Sequence, residues 1–197
     1  MDTLARRPLR ADARRNRERV LKAAQVAFAE RGHDAQMDDV ARRAGVGVGT
    51  VYRHFPTKEA LVEALATDRF ERILAAGREA LEAPDPWDGF TGALMAGAEL
   101  TASDRSFSEI VGELTGPMPV PEPLLKELYD VYGELMRRAQ TAGQLRSDLV
   151  LDDIPMIMCG IGIGARKTHE CPQAWRRHAA ILIDGLRASG ASAPLPS

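Results

Sequence analysis

Residues 39–58 read DVARRAGVGVGTVYRHFPTK. Two short helical patterns meet here at a glycine-containing turn, with Gly45 and Val51 at the spacing of a helix-turn-helix. The small residue lets two helices cross closely, and the valine fills their interface. We therefore predict helices at 37–44 and 48–55, joined by a tight turn. Plain core packing of two helices is the alternative that this spacing alone leaves open.

The outward side of the second predicted helix carries groups that suit DNA. Hydroxyl and imidazole groups bind phosphate oxygens, an arginine fork reads guanine, and a valine methyl group contacts thymine. A glycine there permits close approach of the backbone. The set consists of Val48, Gly49, Thr50, Tyr52, Arg53 and His54. We predict that this helix lies in a major groove, whereas Phe55 faces the core.

Helical periodicity extends over nearly the whole chain, and no segment shows sustained two-residue alternation. Residues 14–31 carry an apolar stripe that ends at Gly32. Pro56 breaks the chain after the turn, and Thr57 caps a long helix over 58–81. Further helices are predicted at 87–103, 104–114, 124–142, 152–167 and 173–188. The fold class is therefore all-α, with an N-terminal three-helix helix-turn-helix domain joined by a long helix to a C-terminal helical domain.

Charge is divided unevenly along the chain. The 197 residues sum to −2, but residues 1–58 carry 13 Lys and Arg against 7 Asp and Glu, giving +6, and the remainder carries −8. A basic first quarter suits a polyanion, although a solvated charged surface also explains the excess. We expect a DNA-binding domain at 12–57, a ligand-binding and dimerisation domain at 58–190, and a disordered tail at 191–197.

Several classes of protein are disfavoured by the composition. The most apolar stretch, residues 154–165, is shorter than the roughly 20 residues that a membrane helix needs, and no apolar leader follows the N-terminal arginines. Cys159 and Cys171 cannot build a disulfide framework, which is typical of reduced thiols in a cytoplasmic protein. We expect a cytoplasmic protein with no membrane partner.

Catalytic and metal-binding patterns are missing from the sequence. It contains no glycine-rich phosphate loop, nucleophile elbow or carboxylate pair with a placed partner, so we expect neither an enzyme nor a bound cofactor. His169, Cys171 and His178 lie close together, with Cys159 nearby. Their spacing fits no closed tetrahedral zinc pattern, so we expect no metal site.

Two stretches of the first third of the chain read RERVLKAAQVAFAERG, at 17–32, and MDDVARRAGVGVGTVYRHFPTKEALVEAL, at 37–65. In these stretches the chain closely resembles the TetR/AcrR family of bacterial transcription regulators. The resemblance implies that one group of side chains holds the DNA backbone, namely Thr50, Tyr52, His54 and Lys58. It also implies that Val48, Gly49 and Arg53 face the bases. Gln36 stands where the family usually has a Thr or Ser that caps the second helix and touches phosphate, and its amide can still donate to phosphate. Gly47 replaces the usual capping Ser.

A single recognition helix covers too few base pairs for useful specificity, so we expect a two-fold homodimer on a palindromic site. Closely spaced glycines in 154–165 predict a close helix crossing, and the family resemblance implies a four-helix bundle with the last helix. The predicted interface residues are Met158, Gly160, Ile161, Gly162, Gly164, Trp175, Ala179, Leu182, Ile183 and Leu186. Burial of both helices within one subunit is the alternative.

Methionine and aromatic residues on the middle helices form a candidate pocket. Such residues suit a small apolar or amphipathic effector, and the resemblance implies one, although they also occur as plain core. The set consists of Phe90, Met95, Phe107, Met118, Tyr129, Tyr132 and Met136.

The whole pattern predicts a sequence-specific repressor that a small molecule releases from DNA. A helical carrier or interaction module without operator recognition is the alternative, and the basic first quarter argues against it.

Overall fold

The computed structural model describes residues 6–103, 119–167, 173–191 and 193–196. Eight α-helices follow one another in these residues, and no strand longer than an isolated bridge between Leu145 and Arg187 is found among them. The helices are α1 Arg6–Arg31, α2 Met37–Ala44, α3 Val48–His54, α4 Lys58–Ala80, α5 Pro86–Ser103, α6 Glu122–Thr141, α7 Asp153–Lys167 and α8 Ala174–Asp184. The all-α prediction is confirmed. The helix predicted at 104–114 lies outside the described residues.

Local signals set most of the helix ends. Gly32 and Gly45 adopt left-handed φ values of 55° and 64°, as glycines that end a helix do. The Thr57 hydroxyl accepts the Ala60 N–H at 3.1 Å and so caps α4. Two ends differ from the prediction by more than two residues. Helix α1 begins at Arg6 rather than at residue 14, and α8 ends at Asp184 rather than at 188, where a short 3-10 turn follows.

The chain divides into two compact units between Thr67 and Asp68, inside α4. Among the described residues, the first unit, which we call the head, holds 6–67 and 119, and the second, which we call the body, holds the rest. The sequence analysis placed the domain change at 57/58. The first turns of α4 group with the head because Leu61 and Leu65 are buried in its core.

The core of the head is formed by α1, α2, α3 and the start of α4. Its most deeply buried side chains, all at most 1% exposed, are Val20, Ala24, Phe28, Ala35, Val40, Val51 and Leu61. They follow the apolar stripes that the sequence shows. Burying a side chain of this size contributes roughly 1.5–3 kcal/mol, so the short helices of the head depend on this shared core.

The core of the body joins α5 and α6 to the later helices. Phe90 and Leu94 of α5 and Leu135 of α6 are at most 1% exposed. The Tyr132 hydroxyl donates to the Ala93 carbonyl at 3.2 Å, and burial raises the pKa of Tyr132 to about 12. This tyrosine therefore stays neutral over the physiological pH range. None of the helices described here has the length and apolar character that crossing a bilayer requires.

The end of the chain is bound to the body at two points. Arg146 pairs with Asp148 through two hydrogen bonds of 2.6 and 2.8 Å, and it also donates to the Ala193 carbonyl at 3.0 Å. The Leu195 N–H donates to Asp148 at 2.8 Å. The hydrogen bond from Arg146, and then that from Leu195, hold the pKa of Asp148 well below its usual value. Residues 193–196, predicted as part of a disordered tail, thus have polar partners in the body.

Helix α7 packs against α5 at a glycine. A Cβ atom at Gly162 would lie 2.8 Å from Cγ2 of Thr101 on α5. Rotation of Thr101 is restrained because its hydroxyl donates to the Gly97 carbonyl at 2.8 Å. The close approach predicted at Gly162 is therefore present, but between two helices of one chain.

We predict that Gly162→Ala lowers the melting temperature, because overpacking of a close contact costs about 1–3 kcal/mol. Gly92→Ala is the matched control, because Gly92 is exposed on α5 and an added Cβ would meet no atom within 4 Å. Alanine there should stabilise the helix by about 0.5–1 kcal/mol. Thermal unfolding followed by circular dichroism compares the two. Equal melting temperatures for both variants would contradict the packing at Gly162.

Candidate nucleic-acid interface

Helix α3 is a short helix with one buried and one exposed side. It has seven residues, begins after Gly47 in extended conformation, and ends where the Phe55 N–H donates to the Val51 carbonyl at 2.8 Å. Val51 is fully buried in the core of the head, and Phe55 is 3% exposed. The remaining side of the helix faces solvent, as expected for a helix that enters a groove.

The turn between α2 and α3 depends on glycine. The Val46 N–H donates to the Ala41 carbonyl at 3.1 Å, and the Gly45 N–H donates to the Arg42 carbonyl at 3.3 Å. These two bonds form a Schellman motif, which requires a left-handed residue at position 45. Any side chain there is strained at φ 64°. Gly45 therefore fixes the angle at which α3 leaves α2.

Two arginines of α1 contact this turn and the end of α3. Nη2 of Arg19 donates to the Ala44 carbonyl at 2.7 Å and lies 3.4 Å from the Gly45 carbonyl. The guanidinium of Arg17 lies 5.5 Å from the centroid of the Phe55 ring. A cation at the C-terminal carbonyls of α2 is favourable both as a hydrogen-bond donor and against the helix dipole. Arg19 is thus a positioning residue for the turn.

Sequence reasoning missed this role of Arg19. No local spacing in the sequence links position 19 to the turn at 44–45. The only sequence signal is indirect: an arginine directly precedes the first core residue of a helix that must pack beside a C-terminal helix end.

The residues predicted to contact bases and phosphates are accessible on α3. Val48 is 41% exposed and Tyr52 is 48% exposed. Gly49 and Arg53 are also exposed, while Thr50 and His54 are partly exposed. An exposed valine and tyrosine beside an arginine on one seven-residue helix present apolar, hydroxyl and guanidinium groups together. This combination matches the groups that base edges and phosphates offer.

The Arg53 side chain is folded back on its own helix. Its Nε donates to the Gly49 carbonyl at 3.1 Å, and its Nη2 donates to the Thr50 hydroxyl at 2.9 Å. Both partners accept a hydrogen bond from Arg53, and the guanidinium lies along the exposed side of α3. Binding of a base by Arg53 would therefore require these two contacts to be exchanged for contacts with DNA.

Gln36 precedes α2 and Lys58 follows α3, and the surroundings of the two side chains differ. Gln36 is exposed at the N-cap of α2. Its side-chain Nε2 donates to the Asp34 carbonyl at 3.0 Å, and its backbone nitrogen lies 3.4 Å from an Asp39 carboxylate oxygen. Asp39 therefore supplies part of the cap of α2. Lys58 begins α4, and its ammonium lies 5.7 Å from the centroid of the Phe28 ring.

Ion pairs tie the end of α1 to α2. Asp39 binds both Arg31, at 2.7 Å, and Arg42, and Arg43 lies 2.5 Å from Glu30. These side chains surround a surface depression of about 180 Å³. Because two carboxylates lie among these three arginines, this group carries a net charge of only +1.

The predicted effector residues that the structure describes differ in burial. Phe90 and Tyr132 are buried in the core of the body, and Met95 and Met136 pack partly buried against that core. Tyr129 is 40% exposed on α6. The other two predicted residues, Phe107 and Met118, lie outside the described residues.

Most of the predicted dimer residues are buried inside their own chain. At most 8% of each of five such side chains is exposed: Ile161, Trp175, Ala179, Ile183 and Leu186. Gly162 is also buried, and an added Cβ at Gly164 would lie 3.3 Å from the His178 ring. These residues pack between helices of the body, so a partner could reach them only if those helices separated. Helical periodicity shows an apolar face but does not tell whether its neighbour belongs to the same chain.

The outward side of α7 and α8 uses other positions. Met156 is 73% exposed, Ile181 is 60% exposed and Ile163 is 40% exposed. Of the predicted interface residues, Met158, Gly160 and Leu182 are partly exposed, and a Cβ at Gly160 would meet no atom within 4 Å. The surface offered by these two helices is therefore shifted from the predicted one.

His169 and Cys171, considered above for metal binding, lie outside the described residues.

Two family models match the chain. Residues 20–65 match the bacterial regulatory proteins of the tetR family, and residues 122–188 match the C-terminal domain of SbtR-like transcriptional regulators. The first match covers the core of the head with the whole helix-turn-helix. The second begins at the first residue of α6 and extends beyond α8.

Individual relatives agree with these matches. The HTH-type transcriptional regulator UidR of Escherichia coli is 28% identical over 187 residues, covering 91% of this chain and 93% of that protein. The HTH-type transcriptional repressor KstR of Rhodococcus jostii is 43% identical over 79 residues, covering 39% of this chain and 37% of the repressor. A crystal structure of the TetR transcription regulatory protein from Mycobacterium vanbaalenii is 36% identical, with a TM-score of 0.64, and the match covers 91% of this chain and 99% of that one. On these grounds the chain belongs to the TetR family of transcriptional regulators.

Proposed function

We propose that this TetR-family regulator is a sequence-specific repressor that binds a palindromic operator as a homodimer and is released by a small-molecule effector. The observation that carries the proposal is the exposed side of α3, which offers Val48, Tyr52 and Arg53 together while Val51 anchors the helix. In this proposal residues 12–57 form the DNA-binding domain and residues 58–190 the ligand-binding and dimerisation domain. The protein acts in the cytoplasm, where its DNA is.

The residues of α3 divide into two roles. Contacts with phosphate position a protein on DNA, and contacts with base edges select the sequence. The positioning group consists of Gln36, Thr50, Tyr52, His54 and Lys58. The selecting group consists of Val48, Gly49 and Arg53, with Arg53 leaving its bonds to Gly49 and Thr50 to reach a base edge.

Dimerisation is assigned to the outward side of α7 and α8. Three exposed apolar side chains, Met156, Ile163 and Ile181, lie on these helices, and Gly160 leaves room for a close neighbour. In a two-fold dimer each residue is used twice, so a small apolar surface gives a self-complementary interface. Two heads then contact two half-sites.

The effector is proposed to be small and apolar or amphipathic. The apolar core around Phe90 and Tyr132, with adaptable Met95 and Met136 beside it, is where such a molecule would insert. Repression requires only that the bound dimer covers the DNA site to which RNA polymerase binds. No contact with the polymerase is needed. A helical carrier or interaction module without operator recognition is the second candidate, favoured only by the apolar core of the body.

Selection of bound fragments from random DNA separates the two candidates. We expect enrichment of an inverted repeat, because a two-fold dimer presents two copies of α3. A variant with Gly45→Val, which strains the left-handed turn, should enrich nothing while the body stays folded. If the parent chain enriches no sequence even at low salt, the carrier or interaction module is supported instead.

Binding to single-base variants of the selected site tests the two groups of residues. Tyr52→Phe and Lys58→Ala should weaken binding to every variant alike, because they remove phosphate contacts, whereas Arg53→Ala should change the base preference at one position by about 1–3 kcal/mol. Lys126→Ala, an exposed lysine of the body, is the charge-matched control. An altered base preference for Tyr52→Phe would show that the roles are wrongly divided.

The proposed interface is tested with Ile181→Glu. A charge on this exposed position of α8 would be buried in the dimer, so we expect a shift toward monomer in sedimentation and binding to the full palindrome little better than to a half-site. Val150→Glu is the control, since Val150 is 56% exposed but lies before α7. An unchanged dimer for Ile181→Glu would exclude this surface as the interface.

A further inference from the structure

The first part of α1 carries a concentrated positive charge. Residues 6–19, which we call the N-terminal arm, hold seven arginines and only two carboxylates, giving +5 in a chain whose total is −2. The arginines at the end of α1 and in α2 differ from the arm, because carboxylates beside them largely neutralise their charge. None of its arginines is among the DNA-contacting residues proposed above.

The arm extends beyond the core of the head. Helix α1 begins at Arg6, and from residue 12 onward its first buried residue is Val20. At about 1.5 Å per residue the intervening turns span roughly 20 Å. Among residues 12–19, whose side chains the structure describes, none is buried. Packing in the head therefore does not account for the helical conformation of residues 12–19.

Four arginines of the arm continue the core-facing stripe of α1. Positions 7, 10, 14 and 17 are separated by three or four residues, and the same steps lead on to Leu21, Ala24 and Phe28. Residues at these steps share one face of a helix. The face that is apolar beside the core thus becomes a row of arginines before it.

The last arginine of this row already contacts the end of α3. The guanidinium of Arg17 lies 5.5 Å from the centroid of the Phe55 ring, at the C-cap of α3. Arg19, from the same turn of α1, binds the carbonyls between α2 and α3. The arm therefore leaves the head directly beside the exposed recognition helix, within the same compact unit.

The positive charges of the arm do not stabilise the fold, and they suit an anionic partner. The first turn of α1 contains no acidic residue, although it contains Arg6 and Arg7, and cations are unfavourable at a helix N-terminus. Arg14 is 79% exposed, and its pairing with Glu18 at 3.6 Å is a surface ion pair of small value. Such a contact is readily exchanged for a phosphate.

We propose that the N-terminal arm binds the phosphate backbone of DNA beside the bases read by α3, through the row Arg7, Arg10, Arg14 and Arg17. The proposal rests on DNA binding by α3 and adds a second, sequence-independent contact from the same head. Each phosphate that an arginine neutralises releases counterions, so the arm strengthens binding at low salt without changing the base preference.

Neighbouring arginines supply a matched test in the full-length protein. Arg14→Gln removes a member of the row, whereas Arg15→Gln makes the same change one position away on another face. Arg15 is also exposed and also pairs with a carboxylate of its own helix, Asp12. For Arg14→Gln we expect the slope of log affinity against log salt to fall by about 0.9, which is about a threefold to fourfold smaller loss of affinity over a fourfold rise in salt. Arg15→Gln should leave the slope nearly unchanged.

Two more variants test the sign and the additivity of the effect. Glu18→Gln frees Arg14 from its ion pair and should strengthen binding, and Arg10→Gln combined with Arg14→Gln should double the change in slope. Base preference on single-base variants should stay that of the parent throughout. Equal slopes for the parent and the Arg10→Gln, Arg14→Gln double variant, with unchanged circular dichroism, would overturn the arm contact alone. Absence of DNA binding by the parent at low salt would instead overturn the proposed function.

Discussion

Burial of Val51 is the interaction on which the recognition surface depends. A helix of seven residues is too short to persist in water by itself, because the cost of starting a helix is recovered only over many more residues. Helix α3 exists because Val51 is fully buried among residues of α1, α2 and α4. That single anchor also determines which side of α3 faces solvent, and therefore which residues are available to DNA.

The geometry around this anchor is set by backbone hydrogen bonds that a side chain from α1 completes. Gly45 closes the Schellman turn, and Arg19 binds the carbonyl of Ala44 that the turn leaves unpaired within α2. Arg17 covers Phe55 at the other end of α3. The orientation of the recognition helix is thus held at both ends by α1, the same helix whose arginine row extends beyond the core. Positioning and charge are supplied by one continuous element.

The sequence predicted the local features of the head well because they depend on near neighbours. Gly32 and Gly45 end helices by their backbone freedom, Thr57 caps α4, and the burial of Val51 follows from its spacing after the turn. The start of α1 was missed since residues 6–13 carry no apolar stripe, and periodicity is the main signal of a helix in sequence. The contacts of Arg19 and the fold-back of Arg53 depend on three-dimensional proximity or rotamer choice, which spacing does not encode.

The body shows the limit of periodicity more clearly. Gly162 and Ile161 have the pattern of a close helix crossing, and such a crossing is present, but against α5 of the same chain. An apolar face predicts that a neighbour exists without identifying it. Exposure of Met156 and Ile181 could be found only once the helices were packed.

Recognition of DNA by the exposed side of α3 can be observed in a structure of the dimer bound to its selected DNA fragment. We expect α3 in the major groove, with the Arg53 guanidinium moved from the Gly49 carbonyl and Thr50 hydroxyl to a base edge, and the Tyr52 hydroxyl at a phosphate. A complex in which α3 remains in solvent and Arg53 keeps both of its present contacts, while another surface holds the DNA, would contradict this expectation.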